Sequence, residues 1–275
     1  MKDALRSVPG AAALWRTIGH LRHAVVQRFG RRRNYTFTQF CRLPTQTEQL
    51  AGPVLDAASE QAKQGPVRIF LFGCSIGAEP YSLASSIMHR RPDTPFLIRC
   101  FDIQPEMVAR VRAATYRTEE LTRRGGLPPG FLDRTFDRRD DRVTVKPELR
   151  GRVQAEVGDV LDETLMAALG NANLVIGQNF LYHLSRRDAA RALRNLTGLV
   201  APRGALAIDG TDLDLRSRYT AEAGLDPWPQ EIERIHEEAR DERGYAWPGI
   251  YWGLEPYEPG RRDAVRRYAT IFLKR

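Results

Sequence analysis

One short stretch constrains the fold of this chain more than any other. It begins at Val67 and reads VRIFLFGCSIGAEPY. Its first six residues are mostly apolar and β-prone, which predicts a buried strand. Gly73 and Gly77 mark a tight turn, and Glu79 with Pro80 then opens an amphipathic helix, because both residue types suit a first helical turn. The stretch therefore predicts a strand, a turn and a helix whose free N–H groups can hold a ligand.

The turn matches neither of two common nucleotide-binding motifs. The dinucleotide fingerprint needs a glycine where this chain has Ser75, and no Gly-Lys-Ser/Thr follows as a P-loop would require. An ordinary strand–helix corner of an α/β domain is the alternative interpretation of this stretch.

The alternation of strand and helix continues along most of the chain. Such alternation predicts a parallel sheet with right-handed crossovers. Beyond the first strand at 67–72 and a helix at 81–89, it predicts strands at 96–101, 152–157, 173–177, 205–208 and 267–273, and helices at 105–114, 162–169 and 185–199.

Other segments interrupt this alternation. Residues 1–64 predict a helical N-terminal segment, with helices at 11–29 and 47–64, ahead of a main domain at 65–275. Pro44 is expected to stop any helix beginning just before it. Within the main domain we predict an inserted subdomain at 116–150, with an exposed strand at 142–145. We also predict a lid-like insertion at 211–260, with a helix at 229–243 and an aromatic-rich loop at 245–257.

Composition and charge narrow the class of protein. The 275 residues are 42% hydrophobic and 28% charged, as in globular proteins, and no run approaches the roughly 18 apolar residues of a membrane span. The three cysteines are far apart and no signal peptide is visible, so we expect a cytoplasmic protein without disulfides or a metal site. The net charge of +8 suggests an acidic partner, such as nucleic acid or an acidic protein surface. The arginines are spread along the chain, however, which favours the interpretation that they lie on solvated faces.

Polar residues fall at the ends of successive predicted strands. Asp102 follows the second strand, Asp159 the third and Asn179 the fourth. Ligands bind at this edge of an open α/β sheet. Asp102 lies about 25 residues past the glycine turn, where a carboxylate binds two ribose hydroxyls. Asp159 is then placed to accept from an adenine amino group.

The same residues resemble the motifs of a known family, the chemotaxis receptor methyltransferases. The stretch GCSIGAEPYS, starting at Gly73, resembles the family's Gly-x-Ser-x-Gly-x-Glu-Pro-Tyr-Ser motif. The match covers residues 36–210 in order. Its other segments are Thr38-x-Phe40-x-Arg42, Asp102-Ile103, Tyr116-Arg117 with Glu120-Leu121, and Gln178-Asn179 where the family has Arg-Asn.

This resemblance implies a fold, a cofactor and a reaction. The fold is a Rossmann-like class I methyltransferase, with a mostly parallel seven-stranded sheet and an antiparallel last strand. The cofactor is S-adenosyl-L-methionine, which becomes S-adenosyl-L-homocysteine when protein glutamates are esterified, with no metal. Its binding residues would be Thr38, Arg42, Gly73, Cys74, Ser75, Gly77, Glu79, Asp102, Ile103, Asp159, Val160, Gln178 and Asn179. Catalytic candidates are Arg42, Tyr182 and His183.

The chain departs from the family pattern around the acceptor. His183 stands where the family has tyrosine, counted from Asn179, and Tyr182 lies one residue earlier. The acceptor therefore stays open between a protein glutamate or small-molecule acid, aligned by Arg42, and a natural-product hydroxyl or amine with His183 as base. A non-catalytic cofactor-binding regulatory module is an alternative of another class. A nucleic-acid methyltransferase is disfavoured, since no Asn/Asp-Pro-Pro-Tyr motif follows the fourth strand.

Overall fold

The alternating strands and helices of the sequence form two sheets. The computed structural model describes residues 38–59, 65–121, 126–243 and 255–275, together with residues 18, 21 and 25. Its strands are β1 (Val67–Phe72), β2 (Phe96–Asp102), β3 (Thr115–Arg117), β4 (Phe136–Arg139), β5 (Arg142–Val145), β6 (Val153–Val157), β7 (Ala172–Gln178), β8 (Val200–Asp209), β9 (Leu225–Pro227) and β10 (Ile271–Lys274).

The larger sheet has seven strands in the order β6-β2-β1-β7-β8-β10-β9. The strand pairs from β6 through to β8 are parallel, and β10 pairs antiparallel with both β8 and β9. This confirms the predicted mostly parallel sheet with an antiparallel last strand. The strand order reverses between β1 and β7, and ligands bind in the crevice at such a point.

Helices pack on both faces of this sheet. They are α1 (Pro44–Leu50), α2 (Pro53–Ser59), α3 (Ala78–Arg90), α4 (Pro105–Ala113), α5 (Thr118–Leu121), α6 (Phe131–Thr135), α7 (Pro147–Arg150), α8 (Glu163–Leu169), α9 (Arg186–Leu199), α10 (Leu213–Glu222), α11 (Ile232–Arg243) and α12 (Ala264–Tyr268). A short 3₁₀ helix covers Leu181–His183.

The central strand β1 is buried on both faces. Ile69 and Leu71 lie in one apolar cluster, with Ile87 of α3, whereas Phe72 lies in a second cluster with Leu196 of α9. Alternate side chains of a strand point to opposite faces, so β1 contributes to both halves of the core. This explains why its sequence is continuously hydrophobic rather than alternating.

Two predicted elements are wrong in detail. The helix expected at 47–64 is two short helices, α1 and α2, separated at Gly52, and residues 60–64 lie outside the described residues. Pro44 begins α1, since a proline in the first turn loses no intrahelical bond. The last strand, expected at 267–273, begins only at Ile271, because Arg267 and Tyr268 close α12.

The insertion at 116–150 contains the second sheet, which is antiparallel in the order β3-β5-β4. Its aromatic side chains pack on the segment that precedes α1. The ring of Phe40 lies 5.1 Å from that of Tyr116 and 5.3 Å from that of Phe136, centroid to centroid. The second sheet therefore holds this segment beside the main sheet.

Part of the predicted N-terminal helix is described. Ile18, Leu21 and Val25 are helical and exposed, while the rest of 11–29 lies outside the described residues. Tyr245, Trp247, Tyr251 and Trp252 of the aromatic loop also lie outside them, and Tyr257 packs on Tyr268 with ring centroids 5.0 Å apart. Among the described helices, none is both long and apolar enough to cross a membrane.

Candidate functional site

The turn between β1 and α3 is shaped by its glycines. Gly73 has φ +78° and Gly77 has φ +96°, a region in which side chains are strained. A Cβ on Gly73 would lie 2.9 Å from Cδ1 of Phe180, and one on Gly77 would lie 3.0 Å from the hydroxyl of Tyr116. That hydroxyl donates to the carbonyl of Ile76 at 2.7 Å, so the second sheet braces the turn from outside.

Asp102 ties this turn to the end of β2. Its Oδ2 accepts from the backbone N–H of Ser75 at 2.8 Å, and its Oδ1 accepts from that of Gln104 at 3.0 Å. Each carboxylate oxygen has a further lone pair, so Asp102 can accept from a ligand while it holds the turn. Ile103, directly after it, is 38% exposed and offers an apolar surface at the same edge.

Cys74 lies beneath the turn and is not a reactive thiol. It is buried, as is Cys100 beside it. The hydrogen bond with Cys100 and burial hold the pKa of the Cys74 thiol well above its usual range. Since the thiolate is the nucleophilic form, Cys74 acts as a small side chain that fills space.

Glu79 is the acidic group of the site with a shifted pKa. It lies in the first turn of α3 and is half-buried. Burial raises the pKa of its carboxyl to about 7, opposed by the positive charge of Arg42 and reinforced by the carboxylate of Asp209. A cationic ligand group beside Glu79 would stabilise its ionised form.

Arg42 lines a small cavity together with residues of α1, α3 and β7. The cavity, of about 20 Å³, is lined by Arg42, Gln39, Glu79 and Gln178 among others, and such a volume holds about one water molecule. Gln178 donates from its amide to Gln46. Arg42 thus reaches the end of β7 and the first turn of α3 from the segment before α1.

One partner of Arg42 is an acidic residue from the tail of the chain. Nη2 of Arg42 donates to Oε2 of Glu242 at 2.8 Å, with 15% and 6% of the two side chains exposed. One turn earlier on α11, Glu238 accepts from the backbone N–H of Thr45 at 3.1 Å and from its hydroxyl. At the approach to α11, Nε1 of Trp228 donates to Oε1 of Gln49 at 3.0 Å. The helix α11 is therefore docked along α1 and its preceding segment.

The residues after β7 approach the end of β8. Asn179 has φ +59° and donates its N–H to the carbonyl of Asp209 at 3.1 Å. The N–H of Tyr182 donates to the carbonyl of Gly210 at 3.1 Å. Tyr182 and His183 are half-buried, with ring centroids 3.9 Å apart. A Cβ on Gly210 would lie 2.7 Å from Cα of Asn179, which shows how closely the two loops pack.

The remaining predicted site residues lie at the margins of this arrangement. Asp159 is half-buried two residues past β6, and its Oδ1 accepts from the N–H of Leu161 at 3.0 Å. Val160 is buried and Thr38 is half-buried. No group of three or more His, Cys, Asp or Glu side chains that could hold a metal ion occurs among the residues described.

The structure brings most of the predicted residues to one edge of the sheet, at the ends of β1, β2, β6 and β7. It places Arg42 in the cavity with Glu79 and Gln178, a cavity that neither Tyr182 nor His183 lines. Sequence reasoning missed Glu242 and Asp209. The helical spacing of Glu238 and Glu242, four residues apart on a predicted helix, was the available sign of an acidic face.

Comparisons with known proteins show which family the sequence matches. Residues 36–221 match the model of a family described as CheR methyltransferase, SAM binding domain. The chain is 30% identical over 182 residues to the probable biofilm formation methyltransferase WspC of Pseudomonas putida, covering 66% of this chain and 42% of that protein. It is 29% identical over 153 residues to chemotaxis protein methyltransferase 1 of Pseudomonas aeruginosa, covering 53% of this chain and 54% of that protein.

The chain spans about half the length of these curated relatives. Among solved structures, it is similar to a putative sarcosine dimethylglycine methyltransferase from Galdieria sulphuraria, with a TM-score of 0.43 and 12% identity. That match covers 84% of this chain and 86% of the other.

Proposed function

Because the chain belongs to the CheR methyltransferase family, we propose that it transfers a methyl group from S-adenosylmethionine to a carboxylate, with a protein glutamate as the acceptor. S-Adenosylmethionine is the cofactor of this family's domain. The position of Arg42 beside Glu79, within the matched segment, is the observation that favours a carboxylate. The relatives named chemotaxis protein methyltransferase support the proposal that this carboxylate belongs to a protein.

The residues at the strand ends fit this cofactor. Asp102 has lone pairs left for the ribose hydroxyls while it holds the turn. Ile103 offers apolar surface to the adenine ring. The pKa of Glu79 is raised, and a cation such as the ammonium of the methionine part would stabilise its ionised carboxylate. The cofactor supplies a methyl group on a positively charged sulfur.

A carboxylate acceptor makes modest demands on the protein. Its unperturbed pKa is about 4, so at pH 7 it is already ionised and needs no base. The protein must align it, exclude water and balance its charge. Arg42 suits this task, because a guanidinium holds a carboxylate in a fixed fork. Tyr182 and His183, after β7, do not line the cavity that Arg42 lines, so the proposal assigns the alignment of the acceptor to Arg42.

The proposed reaction belongs in a reducing compartment. The three cysteines, Cys41, Cys74 and Cys100, are free thiols. Disulfides are rare in the cytosol, so free thiols agree with the cytoplasm as the place of the reaction.

The experiment that tests the proposal is a methyl-transfer assay on total protein of the source organism with labelled S-adenosylmethionine. We expect protein-bound label that mild base releases, since base hydrolyses a methyl ester but leaves an ether or methylamine intact. An Arg42→Lys variant should transfer less label than the parent, because lysine cannot form the fork. A base-stable product would contradict the proposal of a carboxylate acceptor but would not affect the proposal that S-adenosylmethionine is the cofactor.

A further inference from the structure

Glu242 places a carboxylate on Arg42, where the proposed function requires the carboxylate of an acceptor. The contact is a hydrogen-bonded ion pair of 2.8 Å, and 6% of the Glu242 side chain is exposed. Arg42 and Glu242 are 200 positions apart in the sequence, so the tail delivers this group to the site. A glutamate side chain of the protein itself therefore already lies at the position proposed for a substrate glutamate.

We propose that Glu242 is an internal competitor, whose carboxylate leaves Arg42 when the carboxylate of a ligand takes its place. This inference rests on the proposed function. The exchange replaces one negative charge by another, so the guanidinium keeps a counter-ion throughout. A neutral ligand group cannot make the same exchange, because it would break the ion pair between Arg42 and Glu242 without supplying a negative charge in its place. Glu242 thereby selects for ligands with a carboxylate.

The exchange does not require α11 to leave the protein. Ile235 is 2% exposed in the core, and Glu238 bonds to Thr45 one turn before Glu242. These contacts fix the body of the helix. Glu242 lies next to its last residue, Arg243, so rotation of the Glu242 side chain can break its contact with Arg42 while the helix stays in place.

The competing carboxylate has two chemical sources, the side chain of an acceptor glutamate and the methionine part of the cofactor. Arg42 lines the cavity with Glu79, which the proposed function assigns to that methionine part. Both sources would displace Glu242 through the same ion pair. We commit to the carboxylate as the ligand group, and separate titrations distinguish its source.

The test uses calorimetry on the full chain and on two variants. Glu242→Gln removes the competing charge at constant shape. Glu237→Gln makes the same change on the same helix, at a residue paired with Arg240 and 36% exposed. The probe is N-acetyl-L-glutamic acid α-amide, whose only charge is the side-chain carboxylate, added with saturating S-adenosylhomocysteine. The corresponding glutamine derivative is the uncharged control.

We expect Glu242→Gln to bind the glutamate probe about tenfold more tightly than the parent, because a competitor reduces apparent affinity by the fraction of open sites. Glu237→Gln should match the parent, and the glutamine derivative should not distinguish the three proteins. Hydrogen exchange should also show faster exchange at the end of α11 when the parent binds the probe. If instead only S-adenosylhomocysteine binds more tightly to Glu242→Gln, the carboxylate that replaces Glu242 on Arg42 is that of the methionine part. This result would also support the proposed exchange.

Equal affinities of Glu242→Gln and Glu237→Gln for both ligands would overturn the inference and make Glu242 a structural partner of Arg42. The proposed function would survive that result, provided the parent still binds S-adenosylhomocysteine and yields base-labile label. Glu242→Asp serves as a second variant, since it keeps the charge but shortens its reach. If Glu242→Gln unfolds, an affinity of Glu242→Asp no higher than that of the parent would count against the competitor.

Discussion

At the scale of single residues, the site is governed by one cation between two carboxylates. Arg42 pairs directly with Glu242, and its charge opposes the upward shift in the pKa of Glu79. Burial nevertheless raises the pKa of Glu79 to about 7, so it titrates near neutral pH, where ordinary carboxylates are fully ionised. A small change in the charge around it alters the fraction that is ionised at pH 7.

This titration predicts a pH dependence of cofactor binding. Below pH 7 Glu79 gains its proton, so its attraction for the ammonium of S-adenosylhomocysteine is lost as pH falls. We expect affinity to fall about tenfold between pH 8 and pH 6, since each unit below the pKa removes ionised Glu79 by that factor. Glu79→Gln should bind weakly with a flat profile. Calorimetry at several pH values measures this, and parallel profiles for the two proteins would exclude Glu79 as the cause.

The same group affects stability with a defined sign. The pKa of Glu79 in the folded protein, about 7, lies above its ordinary value of 4.5, so between these pH values the folded state binds more protons than the unfolded state. Its contribution to the free energy of unfolding is therefore largest below pH 4.5 and is lost as pH rises through 7. Glu79→Gln should show less loss of stability over this window.

At the scale of elements, the turn between β1 and α3 makes a sharp stability prediction. Gly77→Ala puts a side chain at φ +96° and 3.0 Å from the hydroxyl of Tyr116, so it should cost about 1–3 kcal/mol. Gly198→Ala, near the end of α9 where nothing lies within 4 Å, should stabilise by up to about 1 kcal/mol. Urea unfolding of both variants measures the difference. A Gly77→Ala protein as stable as Gly198→Ala would show that the turn is not strained.

Elements with strong local signals could be predicted from the sequence. The apolar run of β1 and the Ser185 cap of α9 lie where the pattern placed them, and the cap side chain accepts from the N–H of Asp188 at 3.1 Å. The short strand β9 gave no such signal, because its pairing with β10 depends on distant residues. The sequence pattern predicted that Arg267 belongs to the last strand. In the structure its backbone is helical, and its guanidinium binds Glu255 and Asp214.

At the scale of the whole molecule, the site is completed by residues from both ends of the chain. The motif around Arg42 could be recognised from the sequence, but its partner could not, because only the docking of α11 along α1 brings Glu242 within 2.8 Å. Asp102 shows the same limit. Its place at a strand end was predictable, whereas its bond to the backbone of Ser75 follows from how the two loops meet.

The docking of the tail depends on a buried acidic residue, Glu255. Its Oε2 accepts from Nη2 of Arg267 at 2.9 Å and its Oε1 accepts from the hydroxyl of Tyr268 at 3.1 Å, while its carbonyl lies 2.7 Å from Nε2 of His236 on α11. Only 3% of the Glu255 side chain is exposed. This residue therefore links α11 to α12.

Glu255→Gln should destabilise the fold by about 3 kcal/mol, because the enclosed Arg267 then keeps, among the residues described, only the exposed Asp214 as counter-ion. Asp226→Asn is the matched control. Asp226 pairs with Arg275 at the surface, with 41% of its side chain exposed, so its change should cost less than about 1 kcal/mol. Urea unfolding gives both values.

Since α11 holds Glu242 on Arg42, Glu255→Gln should also speed hydrogen exchange in α11 at urea concentrations far below unfolding. Unchanged exchange there would mean that the contacts with α1 alone keep this helix over the site.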